Sequence, residues 1–94
     1  MPFGNNVIRP FTREAVEALN SRQLGVYGIF RQNQWIYVGC GDIRARLLTH
    51  LNGANPCIMI NRPTSWVAEV TPSYLTRERE LIAELNPLCN EHRG

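Results

Sequence analysis

The chain contains no lysine: all ten of its basic residues are arginine. Compositional bias explains such an absence more readily than selection does. Either way, the cations that remain each carry a planar fork that grips a phosphate with paired hydrogen bonds, which an ammonium cannot do. A net charge of only +2 is by itself a weak indication of nucleic-acid binding. No apolar run approaches the ~18 residues of a membrane-spanning helix, so no membrane partner is expected. The start, Met1-Pro2-Phe3-Gly4-Asn5-Asn6, has neither the charged nor the apolar region of a secretion signal. Cysteine is scarce and unpatterned: Cys40, Cys57 and Cys89 are odd in number and lack CxxC spacing. They read as free thiols, which points to a reducing, cytoplasmic (intracellular) setting rather than to a zinc site or a disulfide framework.

Ninety-four residues suffice for one hydrophobic core and no more. Residues 1–10 carry no periodic pattern and are expected as an N-terminal arm; residues 11–94 form a single domain. Thr12 can cap a first helix, with Phe11 and Val16 as a hydrophobic staple. Two β-type runs follow, over residues 24–30 and 35–38, joined by a turn at Gln32-Asn33-Gln34. Asp42 caps a helix running to Leu51. Asn55-Pro56 opens a short one, with proline at the first helical position. The stretch Thr64-Ser65-Trp66-Val67-Ala68-Glu69-Val70 alternates as a third strand. A last helix runs from the region of Ser73 through Leu85, stopped by Asn86-Pro87. The expected fold class is α/β (α+β): a small, mainly antiparallel three-stranded sheet flanked by helices.

The runs Gly25-Val26-Tyr27 and Tyr37-Val38-Gly39 each set a tyrosine within two residues of a glycine. The helix after them carries Arg46 and His50 four residues apart, hence on one face. Near the C-terminus stand Glu78-Arg79-Glu80-Leu81-Ile82 and Asn86-Pro87-Leu88-Cys89-Asn90. In this order and rough spacing the chain resembles the GIY-YIG nucleases from about Leu24 to Asn90. The resemblance implies a GIY-YIG-like fold and a metal-dependent endonuclease hydrolysing phosphodiester bonds in DNA, duplex or branched.

It also implies roles. Tyr27, on a concave, solvent-reachable face and with its pKa lowered near the metal and arginine, would take the proton of the attacking water, and Tyr37 would position it. Arg46 would neutralise phosphoryl charge, and His50 would share base work or bind the phosphate. Glu78 would hold Mg²⁺ or Mn²⁺, with the family spacing selecting it over Glu80. Asn90 would bond a phosphate or fix its loop. Arg44, which points away from Arg46 on the helix, and Arg62 are candidate nucleic-acid contacts. With no appended domain visible, a protein partner or homodimer would supply specificity.

One departure stands out: Cys40 follows the second motif where many relatives carry lysine or serine. That keeps open a catalytically weak or inactive nucleic-acid-binding module of the same fold. A nucleophilic Cys40 beside His50 is a third reading, but it leaves the tyrosines and Glu78 without a task.

Overall fold

The computed structural model describes residues 2–4 and 7–90. Its elements in chain order are β1 (Arg9–Pro10), α1 (Arg13–Glu17), β2 (Leu24–Arg31), β3 (Gln34–Asp42), α2 (Ile43–Leu51), α3 (Pro56–Ile60), β4 (Ser65–Val70) and α4 (Tyr74–Leu85). The strands form one antiparallel sheet in the order β1-β4-β2-β3. The expected count of three strands is therefore corrected to four. The added strand is two residues long, too short to leave a period. Its proline is tolerated because β1 lies on the sheet edge.

The segment expected as an arm lies against the domain where it is described. Phe3 is buried, and the Gly4 amide donates to Glu69 Oε1 at 2.6 Å. Arg9 stacks over the Trp66 ring at 5.3 Å. Arg77 ties this layer to α4: it donates to Glu69 Oε2 at 3.1 Å and to the Pro2 carbonyl at 2.7 Å.

Central strand β2 is buried on both faces, as an inner strand covered on each side must be. Tyr27 and Ile29 face α1, α2 and α3, with Val16, Ile43, Leu47, Ile58 and Trp66. Val26 and Phe30 face α4, with Phe3, Val38, Val67 and Leu81. The β2–β3 ladder shifts register between Ile29↔Tyr37 and Phe30↔Trp35, so Ile36 is an extra residue on β3. Such a bulge breaks the two-residue alternation. Without it Trp35 and Tyr37 would share a face. With it Trp35 joins the α4 side and Tyr37 the α2 side, beside Tyr27.

The helix starts are set by their caps. Thr12, Asp42 and Asn55 each accept a hydrogen bond from a backbone amide of the following first turn. Asn86 ends α4 in the left-handed conformation at φ 47°, which asparagine tolerates better than most residues.

The thiols depart most from expectation. Cys57, on α3, and Cys89, after α4, form a disulfide with Cα atoms 5.7 Å apart. Only Cys40 is free. Partners 32 residues apart announce themselves by no local motif; the fold alone brings them together. The reading of three free thiols is corrected, and the inference of a reducing compartment loses its basis. No helix among the described residues is long and apolar enough to cross a membrane.

Candidate active site

The geometry of the Tyr-Gly motifs begins with a cross-strand pair. Tyr27 on β2 lies opposite Gly39 on β3. A Cβ on Gly39 would collide with the Tyr27 hydroxyl and come within 2.5 Å of Cζ. The glycine therefore supplies the space the phenol occupies, not merely backbone freedom. Gly25 serves the other neighbour: a Cβ there would run into the Glu69 carbonyl of β4. Tyr37, two residues before Gly39, is the diagonal neighbour of Tyr27 on the same face, within the reach of aromatic side chains. The two rings are 6.3 Å apart.

Gly39→Ala should displace the Tyr27 phenol. The expected cost is ~1–3 kcal/mol, the range for overpacking a filled site, read by thermal unfolding. The Tyr27–His50 contact should be lost with it.

Helix α2 closes this face. His50 Nε2 lies 2.8 Å from the Tyr27 hydroxyl, and the His50 ring packs on Tyr37 with centroids 4.9 Å apart. His50 is buried, and its Nδ1 has no hydrogen-bond partner among the described residues. Arg46, one turn earlier, is exposed and folds back over the strand end. Its Nε lies 3.3 Å from where a Gly41 Cβ would sit. Gly41 itself is at φ +121°, a conformation that favours glycine.

Glu78 approaches from the other side. It lies on α4, which packs against the opposite face of the sheet, and it acts on Cys40 both by charge and by hydrogen bond. The site thus wraps around the exit of β3 at Gly39-Cys40-Gly41, with the tyrosines, Arg46 and His50 on one side and Glu78 and Cys40 on the other.

The electrostatics follow from burial. Tyr27 is held well above the usual phenol range, first by desolvation, then by Tyr37; Arg46 opposes the rise and Glu78 adds to it. Tyr37 is raised by desolvation and Glu78, against Arg46. Burial and Glu78 push the Cys40 thiol up to about 11, the opposite of what a nucleophilic thiol needs. His50 is lowered by burial and then by Arg46.

Tyr27 is 1% exposed, so its expected place on a solvent-reachable face is corrected: it stands behind the Gly39–Gly41 backbone. Its expected fall in pKa is likewise reversed, because desolvation outweighs the arginine.

The depressed His50 pKa has a stability consequence. Its neutral form persists to a lower pH in the folded chain than in the unfolded one. Stability is therefore complete above the ordinary histidine value of ~6.5 and falls as pH drops through and below it. His50→Gln should flatten that part of a stability–pH curve measured by urea titration.

Of the eight residues singled out from the sequence, five gather here: Tyr27, Tyr37, Arg46, His50 and Glu78. Asn90 takes the loop-fixing role. Its side chain accepts from the Val38 amide at 2.9 Å and donates to the Val38 carbonyl at 2.8 Å, which commits both of its polar atoms. Arg44 is half-buried on α2. Arg62 lies at the opposite end of the sheet, where its carbonyl accepts from Arg31 Nη1 at 3.3 Å. Glu80 turns outward and pairs with Arg77 at 3.5 Å; it is not among the groups acting on either tyrosine.

The sequence reading gave Cys40 no structural role. Its contact with Glu78 crosses between a strand and a helix 38 positions away, and no local spacing signals it.

No group of three or more His, Cys, Asp or Glu side chains suited to a metal gathers among the described residues. The hard-donor set here is one carboxylate, Glu78, whose charge reaches two phenols across the sheet. That composition fits Mg²⁺ or Mn²⁺ retaining most of its water, not a fully protein-ligated ion.

No protein-family model, curated protein or solved structure matches the chain.

Proposed function

We propose that this chain is a metal-dependent endonuclease of GIY-YIG type, hydrolysing phosphodiester bonds in DNA. One observation carries the reading: two tyrosines and a histidine from β2, β3 and α2 meet in one cluster, and both tyrosines feel the charge of Arg46 from α2 and of Glu78 from α4. Structural packing alone explains a buried tyrosine. It does not explain why an exposed arginine and a carboxylate from the opposite layer converge on the same phenols.

Glu78 would hold the metal. When bound, Mg²⁺ or Mn²⁺ supplies charge neutralisation at the phosphoryl oxygens and a more acidic water. Arg46, exposed beside Gly41, faces the substrate and balances charge that develops on the phosphoryl group. Tyr27 receives the proton of the attacking water without first becoming a phenolate. In the tautomer with Nε2 free, it passes its own proton to His50 Nε2 as it accepts one. A phenol whose pKa is raised resists becoming a free phenolate, which this relay avoids, and neutral His50 offers the accepting lone pair although burial and Arg46 oppose its protonation. Tyr37 holds the His50 ring in place. Arg44, half-buried on the same helix, would meet the DNA backbone.

The alternative, a binding module without cleavage, draws on the burial of Tyr27 and the thiol beside Glu78. Labelled duplex, branched and single-stranded DNA, incubated with Mg²⁺ or Mn²⁺ and with EDTA, separates the two. Metal-dependent cleavage of any of them supports the enzyme. Retention of substrate without cleavage in every metal supports the module.

A further inference from the structure

We propose that the Cys57–Cys89 disulfide is a thiol-sensitive clasp that fastens the segment Asn86–Asn90 onto the edge of β3 and so keeps the Tyr27–Tyr37 site ordered. The part of this inference that concerns activity rests on the nuclease reading; the part that concerns order does not.

The argument starts from sheet order. β3 is an outer strand, with β2 on one side only. Its free edge would present unpaired backbone groups. The chain after α4 covers that edge. The Leu88 amide donates to the Trp35 carbonyl at 3.2 Å and the Cys89 amide to the Ile36 carbonyl at 2.8 Å. Asn90 then uses its side-chain amide as a substitute peptide, bonding both the amide and the carbonyl of Val38. The bonded residues are the bulge and the second motif itself: Ile36 is the extra residue that turns Tyr37 toward Tyr27, and Val38 lies between Tyr37 and Gly39.

The bond to α3 is the covalent tie that adds to these hydrogen bonds. The described part of the strap has left the helix at Asn86 and has no further element of its own. Asn61 fixes the clasp from the α3 side, with Nδ2 donating to the Cys57 carbonyl at 2.8 Å and lying 3.6 Å from Cys89 Sγ. Both half-cystines are partly exposed, so a small thiol can reach them. The chemistry balances with a dithiol or two monothiols as reductant. The Cys57–Cys89 S–S bond breaks, both sulfurs gain a proton and an electron, and the reductant closes its own disulfide. The strap is then left with its four hydrogen bonds to β3 and no covalent tie, and contacts of this local kind open more readily than the core.

The test is amide hydrogen exchange at low temperature on the full chain, oxidised and after treatment with a dithiol, with cleavage assayed in parallel. The expected result is exchange at Val38 and its neighbours in β3 that speeds by about tenfold or more beyond the general increase that lost global stability gives the β2–β4 ladder, as for a locally opening unit. Asn90→Ala, in the oxidised chain, should loosen the same amides while leaving the disulfide intact. Unchanged exchange in β3 after reduction overturns the proposal. So does an equal loss of protection across the whole sheet with no excess in β3, which would make the disulfide a global staple and nothing more. If the oxidised chain cleaves no substrate in any metal, the nuclease reading fails while the exchange result still decides the clasp. If it cleaves, the reduced chain should cleave more slowly; equal rates with a loosened β3 overturn the link to activity.

Discussion

Glu78→Gln should leave the fold intact and lower metal-dependent cleavage by ~10²-fold or more, the scale of removing a principal electrostatic stabiliser. The substitution is nearly isosteric. Among the described residues Glu78 forms no ion pair that its loss would break. What it contributes is charge, felt at Tyr27, Tyr37 and Cys40.

That charge gives the variant a second readout independent of activity. With the carboxylate gone, the Cys40 thiol should titrate below its present value of about 11, seen as faster alkylation at moderately alkaline pH. Glu80→Gln is the control. Glu80 is largely exposed and paired only with Arg77, so its neutralisation should change stability by no more than ~0.5 kcal/mol and leave cleavage as it was. A dead Glu80→Gln beside a fully active Glu78→Gln would move the proposed metal ligand half a turn along α4.

Reduction of the disulfide, or Cys57→Ser with Cys89→Ser, should have the largest effect on stability. Closing a loop across a separation of 32 residues restricts the unfolded chain by ~3–4 kcal/mol in the chain-entropy account. For a domain this small each kcal/mol moves Tm by about 4–8 °C. The expected fall is therefore about 15–30 °C, well outside the error of a thermal scan with and without a dithiol. A change of only a degree or two would mean that the cysteines are not joined in solution, and the reading of three free thiols would return.

The sequence and the structure agree where the determinants are local. Thr12, Asp42 and Asn55 each cap the helix expected of them because capping involves only the next few amides. Strands β2 and β4 were legible because β-formers cluster in them between clear turn signals. Arg46 and His50 share a face by helix periodicity alone.

Legibility ended where the fold joins distant residues. The bulge at Ile36 decides which way Tyr37 faces, yet nothing in Trp35-Ile36-Tyr37 announces it. The two-residue strand β1 exists only through its pairing with Ser65 and Trp66. The disulfide, the Asn90–Val38 bonds and the Cys40–Glu78 contact are likewise products of tertiary approach. The direction of the Tyr27 shift was misread for a related reason. The nearby arginine was visible in the sequence, but the burial that outweighs it was not.

Burial also sharpens the central claim, that the Tyr27 hydroxyl moves a proton in phosphodiester hydrolysis and is not simply a packed core group. The most direct measurement is single-turnover cleavage of the labelled DNA by Tyr27→Phe beside the unaltered chain, with Tm recorded for both. Phenylalanine keeps the ring in its place against Gly39 and removes only the oxygen bonded to His50. The hydrogen bond itself contributes ~0.5–1.5 kcal/mol, so Tm should fall by no more than about 12 °C. The cleavage rate should fall ~10²-fold or more, the scale of a lost acid–base group. Cleavage at the unaltered rate, with the same modest change in Tm, would show that Tyr27 serves packing alone and would contradict the account.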